Sequence, residues 1–474
     1  KEGQVNNNPN QQIINAGTMN PAASGYYATS TLNSYFGRVF YSFDNRYMIT
    51  ANIRWDGSSK FADGNRWGCF PSVSAGWNFS EESFMNNLEW LSQGKLRAAW
   101  GEIGNQTISS GAYMNTFGNG SYYLFGNPYQ TNLYAGRTQV GNPDLKWEKT
   151  NQFDIGFNLN LFRNRLNFDI SYYYKLTTDL LLERPVPHTT GFTSVMDNIG
   201  KVANQGLDFM VNTVNIDTKD FGWSSTLNFN YNKNEIKKLG ENDEDILTGP
   251  WFISGNLVIL RKGESLGSFW GYKREGIWGE DEAEEAKAAG AGVGQPKRSK
   301  DREILGKGLP DVTGSFINNF RYKNFDLTVD LQFVLGVDVY QQFLHSTEDR
   351  FGIANALSSV LSEGWTPANT NTMIPALYSQ NSQPDSHWVA NGSYLRANLI
   401  QLGYTFEPSV LKALHLGSLR AYFSVNNAFC ITSKDFKGYD PEGTSQGTDQ
   451  WGQNIMFFQY PKPRTYTLGV NVSF

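Results

Sequence analysis

Residues 152–175, QFDIGFNLNLFRNRLNFDISYYYK, decide how the rest of the chain is read. Phe153, Ile155, Phe157, Leu159 and Leu161 alternate with Gln152, Asp154, Gly156, Asn158 and Asn160. Strand side chains point to opposite faces with a period of two, so this run is a strand with one oily and one wet face. After Arg163, Asn164 and Arg165 the pattern resumes, with Leu166, Phe168, Ile170, Tyr172 and Tyr174 against Asn167, Asp169, Ser171, Tyr173 and Lys175. So short a gap is a hairpin turn, which makes the two strands antiparallel neighbours.

Working outward, the same alternation recurs in Tyr47 to Trp55, Leu207 to Val211, Leu227 to Tyr231 and Phe325 to Phe333. Alternation and turn signals give about 13 strands, at 32–43, 47–56, 70–79, 95–103, 150–162, 166–182, 199–216, 222–236, 312–321, 325–338, 394–406, 418–429 and 464–474. On one side the connections are short, as in Asp44 to Arg46 and Tyr322 to Asn324, or carry a helical turn or two, at 80–94 and 407–417. On the other they are long, at 104–149, 183–198, 237–311, 339–393 and 430–463. A soluble sandwich core produces the same alternation, but short turns on one side and long loops on the other are the layout of an outer-membrane β-barrel.

Composition agrees. Hydrophobic residues make up 39% of the 474, with no run near the roughly 18 apolar residues of a membrane helix, so helical membrane proteins are excluded. A net charge of −5 leaves no basic footprint, which excludes nucleic acid as a partner. Cys69 and Cys430 form no CxxC pair and are read as isolated thiols, with one long-range disulfide left open. The chain ends on Tyr466, Leu468, Val470, Val472 and Phe474, one face of a last strand, which looks like the signal that the barrel assembly machinery recognises.

Parity adds an expectation. With the short turns periplasmic, strands 32–43 and 464–474 both run inward, whereas a bacterial barrel has an even strand number and both ends periplasmic. Residues 1–31 are therefore expected to be the remnant of an extracellular loop, and 32–474 the C-terminal part of a barrel whose plug lies outside this chain.

Several segments resemble the SusC/RagA-like TonB-dependent transporters of Bacteroidetes. They are Arg54-Trp55-Asp56-Gly57-Ser58-Ser59-Lys60-Phe61, Asn65-Arg66-Trp67-Gly68, Phe70-Pro71-Ser72, Gly141-Asn142-Pro143-Asp144-Leu145-Lys146-Trp147-Glu148, and Asn198-Ile199-Gly200-Lys201-Val202 with Asn204-Gln205-Gly206. Further matches are Gly267-Ser268-Phe269-Trp270-Gly271-Tyr272, Ser393-Tyr394-Leu395-Arg396, Val425-Asn426-Asn427 and Gly438-Tyr439-Asp440-Pro441-Glu442. The resemblance implies an integral outer-membrane barrel of about 22 strands around an N-terminal plug, which leaves roughly nine strands beyond those in this chain. It implies TonB-energised uptake of oligosaccharides or peptides, with the lipid bilayer, TonB and a SusD/RagB-like surface lipoprotein lid as partners. One loop departs from the family: Glu280 to Glu285 and Ala286 to Ala291 stand where relatives carry a glycine-aspartate-rich stretch, so no calcium site is expected there.

Enzyme chemistry has no foothold. His188, His345, His387 and His415 show no metal spacing and are read as ordinary loop or turn residues, and no GxSxG elbow is present. Asp154, Asp169, Asp208, Asp326 and Asp330 are read as polar wall residues, and Glu241, Asp243, Glu244 and Asp245 as a solvated charged loop in preference to a Ca²⁺ site. Gly290 to Gly294 is read as flexible. No cofactor or metal is expected. Binding falls instead to aromatics in the long loops: Trp251, Trp270, Trp278, Trp365, Trp388 and Trp451, with Tyr122, Tyr123, Tyr129 and Tyr134, are the candidates for substrate or lid contact. The number of Trp favours glycan over peptide. A passive porin, an adhesin barrel and a soluble β-rich glycan-binding protein remain the alternatives.

Overall fold

The computed structural model describes residues 29–125, 130–248, 256–349, 354–380, 383–443 and 451–474. Thirteen strands pair in chain order into one antiparallel sheet: β1 (Leu32–Phe43), β2 (Tyr47–Ser58), β3 (Trp67–Trp77), β4 (Leu91–Asn105), β5 (Glu148–Leu161), β6 (Leu166–Thr178), β7 (Lys201–Asp217), β8 (Phe221–Lys238), β9 (Val312–Tyr322), β10 (Phe325–Leu335), β11 (Tyr394–Thr405), β12 (Ser418–Asn426) and β13 (Thr465–Ser473). They lie where the two-residue period puts them, with ends shifted by a few residues. A short strand, Cys430–Thr432, pairs with the start of β11. Among the described residues β1 and β13 are the two edges of an open sheet.

The register gathers the oily residues on one face. Phe153 of β5 lies opposite Trp100 and Tyr174, Phe157 opposite Leu96 and Ile170, and Phe423 of β12 opposite Leu402 and Leu468. Rings from neighbouring strands meet there, as in Phe168–Phe209, Phe325–Tyr404 and Phe423–Tyr466. These residues form no core: Phe157, Leu402 and Phe423 remain 46%, 48% and 45% exposed. An apolar belt running across thirteen strands would aggregate in water but suits a lipid-facing wall.

The turn side follows local chemistry. Asp44 and Asn45 both adopt positive φ, which their short polar side chains tolerate. Residues Phe79–Glu81 and Ser83–Met85 form 3₁₀ turns, and Pro408–Leu414 is a helix ended by His415 in the left-handed region.

The long loops fold among themselves. Hairpins form from Thr116–Phe125 with Gln130–Gln139 and from Leu181–Pro185 with Ser194–Asn198. Ile246–Thr248, Val258–Leu260, Ser268–Ile277 and Pro296–Lys307 make a four-stranded sheet, and Asp338–Gln341 pairs with Val389–Asn391 and, in parallel, with Ile455–Met456. The well-buried apolar clusters lie in and against these loops. One joins Leu257, Phe269, Tyr340, Leu344, Trp388 and Ile455, and another joins Phe61, Phe70, Leu145, Trp147 and Leu181. Gly290 to Gly294 is a built turn rather than a flexible one, because the Gly294 amide donates to the Trp278 carbonyl and its own carbonyl accepts from Ala376, both at 2.8 Å. Cys69, on β3, and Cys430 are free thiols.

One glycine exposes how tightly the wet face is built. Gly206 of β7 lies opposite Tyr173 of β6, and a Cβ there would come within 1.9 Å of the Tyr231 carbonyl oxygen and 2.7 Å of the Tyr173 hydroxyl. Tyr173 is held in place by donating to Asn232 at 3.0 Å. Gly206→Val should therefore destabilise the wall by about 1–3 kcal/mol and lower the fraction of heat-modifiable, folded barrel on unboiled gels, whereas Thr313→Val on the same face should leave it unchanged.

Candidate functional site: the polar face of the sheet and its long loops

The wet face of the sheet carries amides and carboxylates in hydrogen-bonded groups. Arg97 of β4 reaches across β5 to donate to Asp169 of β6 at 2.7 and 3.1 Å and to Asn158 at 2.9 Å, and Asn158 donates to Asp169 at 2.7 Å. Asp208 accepts from Asn230, and Asp326 pairs with Arg420. Arg97, Asp169, Asp208, Asn228, Ser315 and Asp330 border a recess of about 740 Å³. These groups can hydrogen-bond hydroxyls, amides or another polypeptide surface. Asp169, Asp208 and Asp326 are each engaged by an amide or a guanidinium.

Above this wall the described parts of the loops at 237–311, 339–393 and 430–463 form a head around a buried charge cluster. Arg274, on Ser268–Ile277, has a side chain only 1% exposed. Its Nε and Nη2 donate to Asp385 Oδ2 at 3.0 and 2.6 Å, its Nη1 donates to the Met373 carbonyl at 2.8 Å, and its fork also meets Asp349. Arg298 donates to Asp385 at 3.3 Å, and Trp388 Nε1 donates to Asp349 at 3.0 Å. Two guanidinium groups thus face two carboxylates, so the charge balances inside the head. Burial disfavours the charged Arg274, but Asp349 and Asp385 outweigh it and raise its pKa above the ordinary arginine value.

Asp349 and its neighbour Glu348 both come from a short π-helical turn, His345–Asp349, all of it buried. The wider turn aims adjacent carboxylates at different loops. Glu348 accepts from His387 at 3.0 Å, Ser359 at 3.0 Å and Lys437 at 2.7 Å. Burial would raise the Glu348 carboxyl, yet the hydrogen bonds from His387 and Lys437 win and hold it at about 2. Lys437 belongs to the last long loop, which is further fastened by Gln341: its amide accepts from the Lys437 N–H at 2.6 Å and donates to the Asp435 carbonyl at 3.1 Å.

The nominated aromatics are placed unevenly. Trp388 is fully buried, Trp365 and Trp278 are 5% and 9% exposed, and Trp451 packs against two of the loop clusters. Their rings serve the cores of the loops. Trp270 is half-buried with the Arg261 guanidinium 4.8 Å from its ring, and Lys297 covers Trp278 in the same way. The backbones of Tyr122 and Tyr123 pair with Leu133 and Asn132 in a loop hairpin, and Tyr134 lies in its second strand. Trp251 and Tyr129 lie outside the described residues. In the acidic run Glu241, Glu244 and Asp245 are exposed, and the cations that follow Val258–Leu260 pair with it, Lys262 with Asp243 at 2.7 Å and Arg261 with Asp245 at 2.7 Å. Of the histidines, His345 is buried in the head and His387 joins Glu348. Among the described residues no group of three or more His, Cys, Asp or Glu is arranged to hold a metal ion. Sequence reading missed the Arg274 cluster, since its members lie far apart in the chain with nothing local to link them.

Two outcomes test this head. Arg274→Met takes the central cation from two buried carboxylates, leaving Arg298 on Asp385 and Trp388 on Asp349, and should weaken the head by about 3–5 kcal/mol, exposing the loops to protease on intact cells while the barrel stays heat-modifiable. Glu348 has a folded pKa below its ordinary 4.5, so its contribution is present above 4.5 and lost as the pH falls toward 2. Tryptophan fluorescence of the detergent-solubilised protein should accordingly hold steady from neutral pH to about 4.5, and the acid transition below it should shrink in Glu348→Gln.

Comparison with known proteins gives the same picture. Residues 3–428 match the family described as TonB dependent receptor-like, beta-barrel. TonB-dependent receptor P3 of Formosa agariphila is 33% identical across 99% of this chain and 48% of its own length. TonB-dependent receptor SusC of Bacteroides thetaiotaomicron is 34% identical across 95% of this chain and 44% of its own length. The RagAB peptide transporter superposes with a TM-score of 0.77 at 26% identity, covering 94% of this chain and 48% of that one. The RagAB peptide importer in its closed-closed state also gives a TM-score of 0.77, at 27% identity over 96% and 50%. The chain therefore spans about half the length of the relatives it matches. With the sheet, its two faces and these likenesses in agreement, the chain belongs to the SusC/RagA-like TonB-dependent receptors, integral β-barrel proteins of the outer membrane.

Proposed function

We propose that this chain is the C-terminal, wall-forming part of a TonB-energised importer that carries oligosaccharides or peptides across the outer membrane. Residues 32–474 supply thirteen strands of a barrel that closes at about 22, and residues 1–31 belong to an extracellular loop. The rest of the polypeptide supplies roughly nine strands and a plug that meets TonB, and a SusD/RagB-like lipoprotein covers the loops. The observation that carries this reading is the continuous thirteen-strand sheet with lipid-suited and water-suited faces, matched along nearly its whole length to half of SusC and of the RagAB transporter. The work is binding, exclusion and release, with no covalent step.

Several aromatics stay in the proposal as contacts for ligand or lid. Trp270, Tyr122 and Tyr123 stand on loop strands, whereas the buried Trp278, Trp365 and Trp388 and the half-buried Trp451 act by packing the loops they belong to. Tyr466, Leu468, Val470, Val472 and Phe474 line one face of the final strand and serve as the assembly signal.

Energised import and passive diffusion separate cleanly. Cells making the full-length receptor with its lipoprotein should accumulate labelled oligosaccharide or oligopeptide, and collapsing the proton-motive force should stop accumulation at once. Uptake that continues at the same rate would mean a porin.

A further inference from the structure

We propose that the lipid-facing side of β7–β10 carries a phospholipid site near the turns, where Asn318 donates to a lipid ester or phosphate oxygen and Lys323 meets the phosphate. This depends on the wall standing in the outer membrane and not on what the barrel carries.

The register isolates the feature. Thr213 of β7, Ser225 of β8 and Asn318 of β9 lie side by side in one row of the ladder. Asn318 alternates with Phe316 and Phe320, and Ser225 with Leu227 and Trp223, so the row belongs to the oily face. Its frame is apolar: Leu166 and Val329 end the row, Leu227 and Phe316 lie in the next row away from the turns, and Trp223 and Phe320 in the next row toward them. All four strands are interior to the sheet, and every residue in them is described. Strands that complete the barrel add at the edges, β1 and β13, which leaves the outer side of β7–β10 to the membrane.

The polar residues make one cluster. Trp223 Nε1 and Ser225 Oγ donate to Asn318 Oδ1 at 3.1 and 2.7 Å, and Asn215, the extra residue of a bulge in β7, donates to Ser225 Oγ at 2.9 Å. Asn318 is only 8% exposed. Its oxygen is thus filled, while its Nδ2 donates to no described residue. An amide N–H left unmet in hydrocarbon is costly, so the position calls for an acceptor from outside the protein.

Depth and charge identify that acceptor. Trp223 stacks on Phe320 with ring centroids 5.8 Å apart, and aromatic residues of this kind mark the membrane interface. Asn318 lies about 7 Å farther along the strand, where the headgroup layer gives way to hydrocarbon and the ester oxygens of a phospholipid accept hydrogen bonds. At the turn, Lys323 Nζ stands 5.7 Å from the ring centre of Tyr322, which shares the outer face with Phe320, so a cation sits on the same side. The Lys323 N–H donates to the Asp220 carbonyl at 2.7 Å, which ties this turn to the one between β7 and β8, where Asp217 is taken by Arg321 at 3.2 Å. A donor above and a cation below suit the ester and phosphate of one lipid. A second copy of the chain, docked here about a twofold axis, would instead bring a surplus donor of its own.

The test uses the full-length receptor, stripped of lipid in detergent and titrated with phosphatidylglycerol, with retained lipid read by native mass spectrometry. Wild type and Val329→Leu should hold one molecule with equal affinity, and Asn318→Leu and Lys323→Gln should each weaken it roughly fivefold. Heat-modifiable migration confirms that each variant is folded, and Lys323→Gln, a change on an exposed turn, reads the site even where Asn318→Leu fails to fold. Equal retention by wild type and either variant overturns the site, as does failure of wild type to hold the lipid. Displacement by an equal concentration of glycerol phosphate overturns the lipid in favour of a free anion. A fall in oligomeric mass of Asn318→Leu with lipid retention unchanged overturns it in favour of a contact between copies. Because uptake is not read, loss of this site leaves the importer standing, and a passive porin would keep the lipid.

Discussion

Hydrocarbon offers no hydrogen bonds, so a wall that crosses it must pair each backbone group with the next strand. That constraint shapes the chain from β1 to β13. It demands strict alternation, because a slip of one residue would turn the oily set of a strand toward water. Departures are few and repaired locally. At the bulge between Asp330 and Leu331, Asn398 drops out of the β10–β11 ladder, and its carbonyl accepts the Asn427 N–H at 3.1 Å instead. The tight seat of Gly206 beneath Tyr173 has the same origin: strands fixed at ladder spacing leave no room to give.

This constraint is also why the wall was legible. A period of two is local, and each strand announces itself within about ten residues, as 152–161 does. The helix at Pro408–Leu414 was visible too, since proline opens it and a leucine-rich segment follows. The loops were not legible, because what organises them is distant. Arg274 and Asp385 lie 111 residues apart and Arg274 and Asp349 75 apart, and nothing in the intervening sequence links them. The burial of Trp278, Trp365 and Trp388 was hidden for a related reason. A Trp in a loop reads as exposed, but here long loops build their own dry cores, and large rings fill them.

The segments that resemble the family become intelligible as joints in those cores. Trp147 packs on Phe61 and Phe70 with ring centroids 5.3 and 5.4 Å apart and donates to the Arg66 carbonyl at 2.9 Å. Asn198 accepts the Lys146 N–H and donates to the Lys146 and Asp179 carbonyls, all within 2.9 Å. Residues far apart in sequence thus knit neighbouring loops into one rim, and the rim, more than the wall, gives this barrel its individuality.

The parallel pairing of Tyr340–Gln341 with Ile455–Met456 carries a consequence for the order of assembly. The head takes an edge strand from a segment just ahead of β13, more than a hundred residues beyond Tyr340. Until that segment arrives, Tyr340 lacks its partner strand and the core around Trp388 and Phe269 lacks Ile455. Contacts this remote in sequence form late. The head is therefore complete only once the segment that leads into β13 is in place.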